Sequence, residues 1–419
     1  MSSSARPPDG QHPSAPRRLL ARYRRPPILA ALVAAIAAVV TVTVILVTDD
    51  PEVERSPTPD DLGPFPATEL DPGPFEVTLG INPTELTDEE LDRSLDLAVD
   101  AGVTQIQSGA TWWFLNLGRQ PRDYDWTDLD RLLSATEARD LRVVLRLSGS
   151  PSWIHGGSVG DGAPGLETIW RPPVYSETQL RHWGDFVADV VSRYGNRVAF
   201  YELWNEPNGI DYWRPGPDPA GFASLLRTGY LRAKHADPDV LIANGGLSRN
   251  DIGYLETLYE ELRNTYPDAE ANGHFFDILG VHPYSRDVAP STVTDELVSS
   301  GEYGLIDENF IAFTRMHDVL VEHGEGDKLL YLGEYGFSTT ETWMDPVPDE
   351  RRARYLVEAF TIAERYPYVL GLNWYDFLPY DDAQAAWAIM EQDGRPTATF
   401  EALRELEPER EPGPLQPSR

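Results

Sequence analysis

Tyr201-Glu-Leu-Trp-Asn-Glu-Pro207 begins as an apolar strand and ends in a carboxylate at a turn, and Leu329-Leu-Tyr-Leu-Gly-Glu-Tyr-Gly336 does the same. Each run reads as a buried strand that delivers a glutamate, Glu206 or Glu334, to the point where the chain turns into loop. Barrel enzymes put their chemistry at that end of their strands. One such glutamate alone says little, because most glutamates are solvated surface charges or helix caps. Two in the same setting point to a carboxylate pair, one giving a proton and one attacking.

Working outward from these two runs, short apolar stretches alternate with amphipathic ones. The strand-like stretches are Phe75 to Ile81, Val103 to Gln107, Leu141 to Leu147, Val198 to Trp204, Val240 to Ala243, Ile278 to Val281, Leu329 to Leu332 and Val369 to Trp374. A helix is expected after each. Thr87-Asp-Glu-Glu90 is a capping-box start, and Leu91, Leu95, Ala98 and Val99 give the first helix its apolar face. Trp126 to Arg139, Ser176 to Tyr194, Pro219 to Ala236, Asp251 to Tyr266, Asp307 to His323, Asp349 to Tyr366 and Thr397 to Leu406 supply the others. Regular alternation implies a parallel sheet covered by helices, and eight repeats favour closure into a (β/α)8 TIM barrel, a single α/β catalytic domain over 75–406. Gly80-Ile-Asn-Pro83 after the first strand lacks the G-x-G-x-x-G spacing, which removes the main reason to expect a dinucleotide enzyme.

The chain has 419 residues, 68 of them acidic, and a formal net charge of −33; Lys234 and Lys328 are its only lysines. Such a balance argues against a nucleic-acid partner and makes a neutral substrate the simpler expectation. The absence of Cys excludes disulfides and thiolate chemistry.

The first residues bear on location. Arg17, Arg18, Arg22, Arg24 and Arg25 precede a charge-free run from Ile28 to Val47, which as a helix would rise about 30 Å and match a bilayer core. Residues 1–27 then form a basic cytoplasmic segment, 28–47 an uncleaved transmembrane signal anchor, and 48–74 a Pro-rich linker, with the barrel outside the cytoplasm. A cleaved signal peptide and a secreted product is the rival reading. Residues 407–419 read as a disordered tail.

Trp204-Asn-Glu-Pro207 after strand four and Gly333-Glu-Tyr-Gly336 after strand seven together resemble the retaining glycoside hydrolases of clan A, especially families 39 and 5. Asp123-Tyr-Asp-Trp126, Leu129-Asp-Arg131, Leu141-Arg-Val-Val144 and Ser150-Pro-Ser-Trp153 resemble the family 39 pattern as well. The resemblance implies a β-glycosidase acting on a carbohydrate, with Glu206 as general acid and base and Glu334 as nucleophile, and with no cofactor or metal. It implies that Asn205 bonds the sugar 2-hydroxyl, that His282 binds sugar, that Tyr284 donates to Glu334, and that Trp374 is an aromatic platform at the cleavage point. Trp113 and Trp153, in loops after strands, are further candidates for sugar platforms, with core or loop packing as the alternative.

One position departs from the pattern. Family members carry an Arg on the second strand that supports the nucleophile, whereas this chain offers Gln107. Two readings stand for Arg146 on strand three: it replaces that Arg, or it forms a salt bridge inside the barrel with Glu202. A barrel that lost its activity through Gln107 and kept its aromatic cleft would be a sugar-binding adhesin or scaffold, and this is the competing function. A third reading, metal-dependent hydrolysis, lacks a His-x-His or a His and Asp cluster at strand ends.

Overall fold

The computed structural model describes residues 56–70, 75–118, 121–158, 165–294, 297–300 and 303–407. Eight strands make the barrel: β1 (Glu76–Gly80), β2 (Gln105–Thr111), β3 (Arg142–Ser148), β4 (Phe200–Leu203), β5 (Ile242–Asn244), β6 (Ile278–His282), β7 (Leu329–Tyr335) and β8 (Val369–Trp374). All pair in parallel with their neighbours in chain order, and β8 pairs with β1, which closes the ring. A two-residue strand, Leu247–Ser248, adds to the outer end of β6.

The helices fall between the strands as α1 (Asp88–Asp100), α2 (Thr127–Glu137), α3 (Glu177–Tyr194), α4 (Pro219–Ala236), α5 (Ile252–Thr265), α6 (Phe313–Glu322), α7 (Asp349–Glu364) and α8 (Ala398–Arg404). The capping box forms: Thr87 Oγ1 accepts from Glu90 N at 3.3 Å, and Glu90 Oε2 accepts from Thr87 N at 2.9 Å. Trp183, Phe186, Val187, Val190 and Val191 of α3 are buried in the layer between helices and sheet.

Several boundaries differ from the sequence reading. β2 runs on through Ser108-Gly-Ala-Thr111, residues too small to register as an apolar run yet long enough to pair with all of β3. α6 begins at Phe313, later than expected, because a 3-10 turn at Phe310–Ala312 precedes it. The long loop after β6 contains an antiparallel hairpin, Val298–Ser300 with Gly304–Ile306.

Inside the barrel, period-two alternation stacks unlike layers. Val144 faces Phe200 across β3 and β4, and two residues on Arg146 faces Glu202. Val144, Phe200, Ala243 and Tyr331 form an apolar floor with Leu70, a residue of the N-terminal segment. Residues 56–70, within the stretch read as a linker, pack on this domain. Phe65 N donates to Asn272 Oδ1 at 2.7 Å, Thr68 N to Asp277 Oδ1 at 2.6 Å, and Tyr230 Oη to the Phe65 carbonyl at 2.9 Å. Lys234, buried against Asp277 at 3.0 Å, also reaches Thr68 Oγ1 at 3.2 Å. Composition could not show this, because the contacts are made by backbone amides and by single side chains among the prolines. No helix among the described residues is long and apolar enough to cross a membrane, and 28–47, like 408–419, lies outside them.

Candidate active site

Glu206 stands two residues past Trp204, where β4 gives way to a turn held by its surroundings. Trp204 (φ 79°) and Glu206 (φ 40°) both occupy the left-handed region, which side chains with a Cβ rarely adopt. Trp204 N donates to the Leu147 carbonyl at 2.8 Å, its indole N–H to the Tyr212 carbonyl at 2.7 Å, and Glu206 N to the Gly246 carbonyl at 3.2 Å. Trp183 and Trp213 wall the Trp204 ring edge-on. Glu334 belongs to β7 itself, just where the pairing with β8 slips register between Leu332 and Tyr335.

At the mouth these two glutamates meet. One oxygen of each and a ring nitrogen of His282 lie within 4.8 Å of one another. His282 Nδ1 is 2.9 Å from Glu206 Oε1 and 3.8 Å from Glu334 Oε2. Arg146 Nη1 donates to Glu334 Oε1 at 2.6 Å, and Arg146 Nε to Glu202 Oε2 at 2.8 Å. Both readings of Arg146 are therefore realised at once, since its fork is wide enough to hold two carboxylates. Tyr284 Oη donates to Glu334 Oε2 at 3.3 Å, as the resemblance implied.

Gln107 is buried beneath this cluster. Its amide lies 2.8 Å from both Tyr331 Oη and the Asn373 side chain. A guanidinium can only donate, so the amide oxygen turns to Arg146 Nη2, and the amide nitrogen then donates to the Gly333 carbonyl at 2.9 Å. Gln107 thus reaches Glu334 through Arg146, not directly.

The charges set the titration. Burial alone would raise Glu334, but His282 and Arg146 beside it, with the hydrogen bonds from Arg146 and Tyr284, hold it below the usual carboxylate range. Burial opposes the imidazolium of His282, yet Glu334 and the hydrogen bond to Glu206 outweigh it, so His282 titrates above its ordinary value. Glu206, His282 and Glu334 are also the one group of three among the described residues compact enough to grip a cation. Arg146 and His282 already supply positive charge to the oxygens that such an ion would need.

Asn205 is buried beside Glu206, and its Oδ1 has no hydrogen-bond partner. Trp374 is a correction: it is 0 % exposed, packed among Tyr335 and Phe337, and cannot stack on a sugar. β8 ends at Trp374, and the next residue, Tyr375, is half-buried against Trp387. Burial, then the charges of Asp376 and Glu334, push the Tyr375 phenol above its ordinary value. Trp153 is a staple: its indole donates to Asn116 Oδ1 at 2.6 Å and its ring abuts Trp112 and His182. Trp113 is half-buried in the turn after β2, against Phe114 and Gly149, and no contact joins it to the carboxylates.

Trp343, in the loop after β7, is not among the sequence candidates. It is 48 % exposed and meets Tyr284 edge-on at 5.7 Å, one ring removed from Glu334. Trp387 touches both Tyr284 and Tyr375. Tyr212 also lies in the field of Glu206 and Glu334. Burial pushes Asp376, next to Tyr375, up to about 7, with the charge of Glu334 adding to the effect. No sequence pattern marks these residues; their loops bring them together.

No family model matches the chain. A β-xylosidase from Geobacillus stearothermophilus is 26% identical over 128 residues, 28% of this chain and 24% of that protein. The chain thus spans about a quarter of the length of this curated relative. Among solved structures, a family 39 glycoside hydrolase from Bacteroides cellulosilyticus WH2 superposes with a TM-score of 0.60 at 20% identity, over 80% of this chain and 63% of that one. A monomeric β-xylosidase from Caulobacter crescentus CB15 gives 0.56 at 18%, over 80% and 69%. An exo-β-1,4-mannosidase from Opitutaceae bacterium strain TAV5 gives 0.54 at 17%, over 79% and 58%. In fold and in its strand-end motifs, the chain resembles the clan A glycoside hydrolases, family 39 among them.

Proposed function

We propose that the protein is a retaining O-glycoside hydrolase that cleaves β-linked poly- or oligosaccharides by double displacement between Glu206 and Glu334. The observation that carries this reading is the close approach of the two carboxylates, within 4.8 Å, at one barrel mouth. Retaining glycosidases hold their pair at about 5 to 5.5 Å, whereas an inverting pair stands wider apart to admit a water.

The surroundings suit the division of labour. Glu334 takes the hydrogen bond from Arg146 and is held ionised for attack, and Glu206, across the His282 ring nitrogen from it, is the partner that serves as acid. Glu334 attacks the anomeric carbon while Glu206 gives that proton to the departing oxygen. Once Glu334 is esterified its charge is gone, and Glu206, now a carboxylate, takes a proton from the water that releases the sugar. On this reading Asn205 bonds the sugar 2-hydroxyl, and half-buried Tyr375 and exposed Trp343 are the rings that would meet pyranose faces.

The competing reading, a sugar-binding barrel without activity, drew on the missing charge at position 107. Arg146 supplies that charge from the next strand. A panel of aryl β-glycosides, β-glucan, mannan and xylan, assayed with wild type, Glu206→Gln and Glu334→Gln, tests the proposal. Cleavage by wild type alone is expected; equal background rates in all three would remove the enzymatic reading.

We also propose that 28–47 anchors the protein in a membrane with the barrel outside the cytoplasm, from its charge-free length and the arginines before it. Resistance of the full chain to alkaline carbonate extraction, with the barrel open to external protease in intact cells, is the expected result. Release by carbonate would contradict it.

A further inference from the structure

Glu202 has no part in the bond-making steps, yet it is 0 % exposed inside the barrel, directly beneath the two carboxylates. A buried carboxylate is costly unless it is paired and hydrogen-bonded on both oxygens. Oε2 takes Arg146 Nε at 2.8 Å, and Oε1 takes the Gly246 amide at 2.8 Å. Oε1 also faces His282 Nε2 at 3.9 Å, a ring nitrogen with no other partner. A Cβ at position 246 would run into His282 Nε2 and Glu202 Oε1, so a glycine is what lets the loop after β5 close over this contact.

We propose that Glu202 is a positioning residue that holds both cations of the site, clamping Arg146 under Glu334 and facing His282 under Glu206. The inference rests on the double-displacement reading for its effect on rate, but the clamp itself does not. Because Arg146 comes from β3 where relatives use β2, its fork needs an anchor on the far side, and β4 supplies it at the paired register position. The same carboxylate gives the imidazolium an anion on its second nitrogen, so the proton on Nδ1 stays directed at Glu206. The groups facing His282 are Glu202 and Glu206 at β4, Glu334 of β7 and Arg146 of β3, with the Tyr331 ring of β7 nearby. Removing the Glu202 charge takes away the anion that faces Nε2, so His282 should hold its proton less tightly.

The test uses the full chain with Glu202→Gln, which keeps an oxygen for the Gly246 amide and removes the charge. Titration of the His282 ring by NMR, assigned with His282→Gln, is independent of activity. His282 is expected to lose its proton at lower pH, by about one unit, and Glu202→Asp to restore part of that shift. An unmoved titration overturns the clamp, whether or not the protein cleaves sugar. In the kinetic arm, kcat/KM on an aryl glycoside should fall about ten- to a hundredfold with little change in KM, and the alkaline limb of its pH profile should move down. A loss uniform across pH, with the limbs unmoved, would mark a structural role only and would also overturn the proposal. Should Glu202→Gln fail to fold, Glu202→Gln is made in an Arg146→Met background and compared with Arg146→Met alone, so that the difference in His282 titration still reports Glu202: a lower value in the double variant is expected, and no difference overturns the clamp.

Discussion

Arg146 Nη1 lies 2.6 Å from Glu334 Oε1, while Nε of the same guanidinium lies 2.8 Å from Glu202 Oε2. One side chain from β3 thus ties Glu334 of β7 to a buried carboxylate of β4. Arg146→Lys keeps the charge but loses the planar fork, so it cannot hold both partners. We expect kcat/KM to fall by about 10² to 10³, the usual loss on removing one preorganised electrostatic contact. Wild-type rates in the variant would show that Glu334 does not depend on this contact.

Tyr284 bears on acid dependence. Its hydrogen bond to Glu334, with His282 and Arg146, outweighs burial and keeps that carboxyl low. Activity needs Glu334 ionised, so it falls as pH drops through this group. Tyr284→Phe removes one stabilising bond, and the acid limb of kcat/KM should move to higher pH by roughly one unit or less. A shift to lower pH would contradict the assignment of Glu334.

Asp376 makes a prediction about stability. Its folded-state pKa is pushed up to about 7 from an ordinary 3.8, chiefly by burial. The folded protein therefore holds a proton that the unfolded chain has lost between these values, and stability should fall as pH rises through that window. Asp376→Asn keeps an oxygen for the Phe377 amide, which donates at 2.6 Å, and cannot ionise. Its melting temperature should exceed wild type at pH 8, by up to a few kcal/mol in free energy, and match it near pH 4. Equal melting temperatures at both pH values would show that Asp376 is not held protonated.

Trp343 addresses substrate length. An exposed ring one tyrosine away from Glu334 is placed for a second sugar, not for the one being cleaved. Trp343→Ala should lower kcat/KM on oligosaccharides by about three- to tenfold, in keeping with the worth of an aromatic contact, and leave aryl monosaccharide glycosides within about twofold. Equal losses on both substrate types would place the ring at the cleavage point.

The sequence was most legible where periodicity and chemistry coincide. Apolar runs ending in Glu206 and Glu334 located two strands and the face on which they open, while His282, Tyr284 and Asn205 came from the resemblance those motifs carry, not from periodicity. It was least legible where one residue of register decides a side chain's fate. Trp374 and Tyr375 are neighbours at the end of β8, and pleat alternation sends one into the core and leaves the other half-buried against Trp387. Arg146 showed the opposite difficulty: two competing roles were readable, and only the barrel's closure lets one fork serve both. The docking of 56–70 was hidden for another reason. Leu62, Phe65 and Leu70 are spaced without helix or strand period through a Pro-rich stretch, and the burial of Leu70 depends on a barrel floor that no local pattern announces.

The most direct test of the account is the site of covalent capture. A 2-deoxy-2-fluoro β-glycoside with an activated leaving group, matched to the best aryl substrate, should inactivate the wild-type protein in a one-to-one ratio. Peptide mapping by mass spectrometry is expected to place the fluorosugar on Glu334, with no adduct in Glu334→Gln. An adduct on Glu206 or elsewhere, or turnover of the parent glycoside with inversion at the anomeric carbon, would contradict the double displacement.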